Sequence, residues 1–232
     1  MRIATWNVNS IKARLGLVLD WLKTTSPDVA LFQEIKTIDE NFPALEIGDL
    51  GYNFVCFGQK SYNGVAILSK TPIEDVERGL DGDPNDAQAR YIEALVYGAQ
   101  HPVRVASIYL PNGNPLGSEK FTYKLGWMER LRAHAEALLQ NEEIQVLAGD
   151  YNVIPTSDDC HDPRLWMNDA LFQPESRAGL RKIGISDLPT PIAPATRRRI
   201  ATHSGTIKPA PGKRTMASAS ISRCCLRKRP IA

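Results

Sequence analysis

Gln145-Val146-Leu147-Ala148-Gly149-Asp150-Tyr151-Asn152 is a short apolar run that stops at a glycine, then presents a carboxylate and, two residues on, a carboxamide. An apolar run of this length bounded by turn residues reads as a buried strand, so Asp150 and Asn152 arrive together at the rim of a sheet. A Gly-Asp pair after a strand is most often an ordinary turn, and alone it decides nothing. Two further strand ends repeat the pattern. Arg2-Ile3-Ala4-Thr5-Trp6-Asn7-Val8-Asn9 ends on asparagine, and Asp28-Val29-Ala30-Leu31-Phe32-Gln33-Glu34 ends on glutamate. Three hydrophobic strands, each finishing in an oxygen-bearing side chain, can converge on one hard metal ion. Glu34 and Asp150 are ligands of the kind that hold Mg²⁺ or Mn²⁺, ions that keep several waters and take few protein carboxylates. Asn7 and Asn152 add neutral oxygens and amide donors able to orient a metal-bound water or touch a phosphoryl oxygen.

Outward from these ends the chain alternates strands and helices. Ser10 is placed to cap a helix through about Thr24, with Leu15, Val18, Leu19 and Leu22 on one face, and Pro27-Asp28 breaks it. Residues 53–57 and 64–69 read as paired strands across a turn signalled by Asn63-Gly64. Residues 91–97 and 103–109 form a second pair ending at Tyr109, a phenol at a fourth strand end. Ser118 through about Leu139 is a long amphipathic helix carrying Phe121, Leu125, Trp127, Leu131 and Leu138. Strands with two intervening helices predict a layered α/β sandwich, sheets inside and helices outside.

The 232 residues suffice for one large domain, and 43% hydrophobic with 23% charged residues is an ordinary globular composition. No apolar run is long enough to span a bilayer, and the N-terminus lacks a signal-peptide pattern. Four cysteines without metal-ligand spacing make a reducing cytoplasm the expectation. The net charge of +2 conceals a division: residues 188–232 hold ten Lys and Arg and no Asp or Glu, leaving 18 basic and 26 acidic residues, a net −8, in residues 1–187.

Thr5-Trp6-Asn7-Val8-Asn9-Ser10, Leu31-Phe32-Gln33-Glu34-Ile35-Lys36, Tyr62-Asn63-Gly64-Val65-Ala66-Ile67, Tyr109-Leu110-Pro111-Asn112-Gly113 and Leu147-Ala148-Gly149-Asp150-Tyr151-Asn152 occur in this order. Together they resemble bacterial exonuclease III, the Mg²⁺-dependent AP endonuclease branch of the endonuclease/exonuclease/phosphatase superfamily. The run Asp162-Pro163-Arg164-Leu165-Trp166 to Asp169-Ala170-Leu171-Phe172 is similar to that branch in particular, and the likeness covers residues 1 to about 187. It implies a four-layered α/β sandwich, two packed β-sheets flanked by helices, incomplete at the C-terminus. It also implies cleavage of double-stranded DNA 5′ to abasic sites, with 3′→5′ exonuclease and 3′-phosphatase activities, by a monomer. By the same resemblance Glu34 binds the catalytic metal with help from Asn7. Asp150 and Asn152 stand at the metal as well: Asp150 orients or deprotonates the attacking water and Asn152 contacts the scissile phosphate. Tyr109 assists at the phosphate or leaving group. Lys60, Arg90, Asn112, Lys120, Lys124 and Trp166 are the expected DNA contacts.

Two motifs of that family are missing: an Arg-Ile-Asp segment and a late Ser-Asp-His carrying the catalytic histidine. His101, His134, His161 and His203 all sit in other contexts. The tail suggests a reason. When the third base of each codon is read with the first two of the next, residues Thr202 to Ile221 permit Thr-Phe-Trp-Asp-Tyr-Gln-Ala-Gly-Ala-Trp-Gln-Lys-Asn-Asn-Gly-Ile-Arg-Ile-Asp, which restores the first missing motif. A shift of reading frame near Asp187–Pro189 is therefore expected, followed by a basic, Pro/Arg-rich tail without ordered structure. An unpaired sheet edge, low stability and weak activity would follow. Three other readings compete: a natural basic tail on a non-catalytic DNA-binding protein, a related phosphodiesterase acting on lipid or inositol phosphates, which the Trp166–Phe172 segment opposes, and a pseudogene product.

Overall fold

The computed structural model describes residues 1–98, 101–141 and 143–185, and the backbone of 224–226. Two mixed sheets lie face to face. The first has the order β1 (Ile3–Asn7), β2 (Val29–Gln33), β4 (Val65–Ser69), β3 (Asn53–Phe57). The second runs β5 (Ile73–Arg78), β6 (Tyr91–Tyr97), β7 (Pro102–Tyr109), β8 (Ile144–Asp150), β9 (Cys224–Leu226). Each sheet contains one parallel pair, β1 with β2 and β7 with β8. A parallel pair needs a crossover connection, usually a helix. Here α1 (Leu15–Thr25) joins the first pair and α3 (Glu119–Leu138) the second. Two further helices, α2 (Ala44–Gly48) and α4 (Pro174–Ile185), complete the outer layers.

Alternating side chains split the core into three layers. Val29, Leu31, Val65 and Ile67 face Ile92, Ala94, Val96 and Val105 between the sheets. Their sequence neighbours Ala30, Phe32, Ala66 and Leu68 turn outward onto Val18 and Leu22 of α1. On the other side Tyr91, Ala106, Ile108 and Leu147 meet Trp127, Met128, Leu131 and Ala135 of α3, with Ile183 of α4. The period-two alternation of strands thus gives helix, sheet, sheet, helix, the expected four-layered sandwich. No helix among the described residues is long and apolar enough to cross a membrane.

Three local expectations change. The first helix begins at Leu15, not after Ser10, because Asn9 and Ser10 take left-handed backbone angles (φ 43° and 84°). Ser10 N–H then donates to the Glu34 carbonyl at 2.7 Å and Ile11 N–H to the Ile35 carbonyl at 3.1 Å, tying the segment to the end of β2. β5 was not foreseen, since a register shift between Glu74 and Glu77 breaks its alternation. In the tail, Cys224–Leu226 pairs antiparallel with β8, Gln145 opposite Leu226, so this stretch of the β8 edge has a partner where an unpaired edge and no ordered structure were expected. Without this segment β8 would be the edge of its sheet, and an edge strand presents a row of unpaired N–H and C=O groups that favours such pairing. The rest of the expected out-of-frame segment lies outside the described residues.

Candidate active site

The C-terminal ends of both parallel pairs point the same way and meet at the rim of the sandwich. In register, Asn7 stands beside Gln33, the residue before Glu34, and Tyr109 beside Asp150. Gly149 permits the second pairing: a Cβ there would lie 2.0 Å from the Ile108 carbonyl oxygen. Beneath the rim, buried Gln33 donates through Nε2 to Ser107 Oγ at 3.0 Å, and Ser107 donates to the Phe32 carbonyl at 2.9 Å. This polar pin fixes one sheet against the other directly under the strand ends.

Asn7 Nδ2 donates to Glu34 Oε1 at 2.7 Å and to Asp150 Oδ2 at 2.9 Å. One amide nitrogen therefore joins carboxylates from opposite sheets. Lys36 Nζ sits 2.8 Å from Glu34 Oε2 and donates to Asn9 Oδ1 at 2.5 Å. Asp150 Oδ1 accepts the Asn152 backbone N–H at 3.0 Å, while Asn152 Nδ2 donates to the Leu110 carbonyl at 2.8 Å. The Tyr109 phenol faces Glu34, and the Arg90 guanidinium stacks 4.8 Å above the Tyr109 ring.

The two carboxyls are not equivalent. Burial pushes Asp150 above the usual carboxylate range, helped by the nearby Glu34 charge and opposed by the hydrogen bonds from Asn7 and Asn152. Burial acts on Glu34 too, but the hydrogen bonds from Asn7 and Lys36 and the ammonium charge outweigh it and hold Glu34 low. Burial, then the Glu34 charge, drives the Tyr109 phenol upward, so it stays a proton donor at neutral pH.

The sequence-predicted residues Asn7, Glu34, Tyr109, Asp150 and Asn152 are thus brought together, with Arg90 adjoining. Asn7 Oδ1 accepts the Asn9 N–H at 3.1 Å while its Nδ2 faces the two carboxylates, so in this geometry the Asn7 side chain bridges them. Lys124, expected as a phosphate contact, is fully buried. Its ammonium donates to the carbonyls of Asn152 (2.6 Å), Asn112 (3.1 Å) and Ala170 (3.3 Å), which ties three loops together from below. The close approach of its chain to Gly113 requires glycine there, since a Cβ would meet Lys124 Cδ at 2.6 Å. Asn112, Lys60 and Lys120 are exposed, and Trp166 is half-buried in a short 3-10 turn, Pro163–Trp166.

Asn9, Gln33, Lys36 and Ser107 belong to the site and were missed. Two of them, Asn9 and Lys36, share a conformational signal with Glu34, Asn63 and Asn152: all five have positive φ. Left-handed backbone at non-glycine residues is costly and concentrates where function over-determines it.

Among the described residues no group of three or more His, Cys, Asp and Glu could hold a metal. Two carboxylates within 2.9 Å of one point, with carboxamides around them, nonetheless suit a hard cation that retains waters and takes the rest of its ligands from a substrate.

Comparison with known proteins places this geometry. Residues 4–212 match the Endonuclease/Exonuclease/phosphatase family. Exodeoxyribonuclease III of Haemophilus influenzae is 30% identical over 190 residues, covering 79% of this chain and 71% of that protein. An AP endonuclease from Archaeoglobus fulgidus superposes with a TM-score of 0.74 at 39% identity, covering 79% of this chain and 69% of that one. A Neisseria 3′-phosphatase bound to a product DNA hairpin gives a TM-score of 0.76 at 37% identity, over 82% and 72% of the two chains. With two carboxylates and a bridging carboxamide at the rim of a four-layered sandwich, the chain belongs to the endonuclease/exonuclease/phosphatase family, in its branch of exonuclease III and AP endonuclease type.

Proposed function

We propose that this chain is a divalent-metal-dependent DNA phosphodiesterase that cuts duplex DNA 5′ to abasic sites and removes nucleotides or phosphate from 3′ ends. The observation that carries the reading is the joining of Glu34 and Asp150, from opposite sheets, through Asn7 Nδ2. Glu34 and Asp150 would hold Mg²⁺ or Mn²⁺, which supplies electrophilic stabilisation of the phosphoryl oxygens when bound. Asp150, with its carboxyl raised by burial, is suited to take the proton of a water attacking phosphorus in line with the departing 3′ oxygen. The protonated Tyr109 phenol is a donor to a phosphoryl or leaving oxygen, and Arg90 adds positive charge behind its ring. Asn152 presents a carboxamide beside Asp150 and donates to a non-bridging oxygen once its amide leaves the Leu110 carbonyl.

The 232 residues contain neither Arg-Ile-Asp nor Ser-Asp-His. In our reading residues 188–232 are translated out of frame, and the chain works slowly for want of the histidine those motifs would supply. Incubation of the purified chain with a duplex carrying one abasic site, with Mg²⁺, Mn²⁺ or EDTA, tests both parts. Weak metal-dependent nicking on the 5′ side, abolished in Asp150→Ala, is expected. No nicking and no release from 3′ ends at any metal concentration would overturn the nuclease reading. Turnover as fast as that of the Haemophilus enzyme would overturn the impairment. Sequencing the gene from the Gly184 codon onward tests the frame directly.

A further inference from the structure

Lys36 lies two residues beyond Glu34, and both have left-handed backbone (φ 52° and 53°). Lys36 N–H is held by the Asn63 carbonyl at 3.0 Å and Ile35 N–H by the Gly64 carbonyl at 3.1 Å, so this short turn is pinned from outside. The strained turn brings the Lys36 side chain back across its own loop. Its ammonium reaches Glu34 Oε2 at 2.8 Å, while Asn7 Nδ2 occupies Oε1 at 2.7 Å. Asn9 Oδ1 accepts from the same ammonium at 2.5 Å and fixes its direction. Both oxygens of the Glu34 carboxylate therefore already have donors, one of them a full positive charge. The Lys36 side chain remains 28% exposed, with room to swing outward. Asp150 is different: its partners are neutral N–H groups of Asn7 and Asn152.

We propose that Lys36 is a resident countercharge of the metal site. Its ammonium takes the place of a cation on Glu34 and must yield the Oε2 oxygen when a divalent ion enters, so it sets the metal affinity as a positioning residue. The inference rests on the metal reading above, and it makes metal occupancy a competition between a tethered monovalent cation and a free divalent one. Removing a unit charge at contact distance from a partly hydrated site should tighten divalent binding about tenfold.

The test is Mn²⁺ binding to the DNA-free chain, followed by the loss of the free-ion electron paramagnetic resonance signal, in wild type, Lys36→Gln, Lys36→Arg and Asp150→Asn. We expect Lys36→Gln to lower the Mn²⁺ Kd about tenfold and to weaken its dependence on monovalent salt, Lys36→Arg to stay within twofold of wild type, and Asp150→Asn to lose binding. Lys36→Arg retains charge and length and guards against a folding artefact. Saturable Mn²⁺ binding in wild type with an unchanged or weaker Kd in Lys36→Gln would overturn the role of Lys36 alone. Absence of saturable binding in every protein would overturn the metal reading and this inference with it.

Discussion

Lys124 Nζ donates to the Asn152 carbonyl at 2.6 Å from beneath the site, inside a pocket that leaves the lysine no exposed surface. A buried ammonium is costly unless hydrogen-bonded, and here each of its three protons has a carbonyl: Asn152, Asn112 and Ala170. The left-handed Asn152 backbone (φ 45°) is held open by this contact on one side and by the Asp150 carboxylate on the other.

Lys124→Met keeps the length and removes the donors, leaving three inward carbonyls without them. We expect a loss of about 1–3 kcal/mol of stability by denaturant unfolding at pH 7. The pH dependence gives an independent check. Burial lowers the Lys124 ammonium to about 8 from its ordinary 10.5. Between those values the unfolded chain holds a proton that the folded one has released, so this group makes stability rise with pH from about 8 to 10.5. That rise should be missing in Lys124→Met. Equal slopes in the two proteins would show that Lys124 keeps its proton when folded.

Asn7 screens two carboxylates from each other with one nitrogen. Asn7→Ala leaves Glu34 and Asp150 facing without that donor, and we expect the metal-free protein to lose about 1–2 kcal/mol at pH 7. A divalent ion can replace the missing positive end of the dipole. Saturating Mn²⁺ should therefore raise the Tm of Asn7→Ala by more than it raises that of wild type, by linkage. An identical metal-induced shift in both would mean that Asn7 does not relieve the repulsion.

Most of this was legible along the chain, and the residues say why. Strand ends at Asn7, Tyr109 and Asp150 could be read because period-two burial and a terminating polar residue are both local signals. The bond from Asn7 to Asp150 spans 143 positions, but two parallel pairs in facing sheets leave few other places for it. What stayed hidden depends on conformation. Nothing in Asn9-Ser10 announces φ values that delay the helix to Leu15, and nothing in Lys36 announces a turn that folds it back on Glu34. Lys124 misled for a related reason: a lysine in the first turns of an amphipathic helix usually reaches solvent, and only the carbonyls of three distant loops explain its burial. Gln33 and Ser107 look like interruptions of apolar strands until they are seen to bond across the sheets.

Gly149 is the narrowest point of the site's scaffold. Any side chain there strikes the Ile108 carbonyl, and backbone has no flexible end to move aside. We expect Gly149→Ala to cost about 3 kcal/mol or more and lower Tm by roughly 6–12 °C for a domain of this size. Metal binding should fall with it, because Asp150 follows directly in β8. A Tm within 2 °C of wild type would show that β7 and β8 separate there at little cost.

Away from the site, Glu93 on β6 accepts from the Tyr91 hydroxyl at 2.5 Å, lies 3.0 Å from His134 Nε2 and pairs with Arg104 at 3.4 Å. Arg104 is shared with Asp75 at 2.5 Å and Glu143 at 2.6 Å, so strands β5, β6 and β7, helix α3 and the approach to β8 meet in one charged cluster. Burial opposes ionisation of Glu93, but the His134 and Tyr91 hydrogen bonds and the Arg104 charge prevail, and its carboxyl lies below the ordinary 4.5. A lowered carboxyl contributes stability that is fully present above 4.5 and is lost as pH falls through the folded value. Glu93→Gln should therefore be less stable than wild type at pH 7 by about 1–3 kcal/mol, since Arg104 retains two carboxylates. The difference should shrink steadily below pH 4.5 as wild type gives up its advantage. A gap that stays constant from pH 7 to pH 3 would mean that Glu93 acts by packing and not by charge.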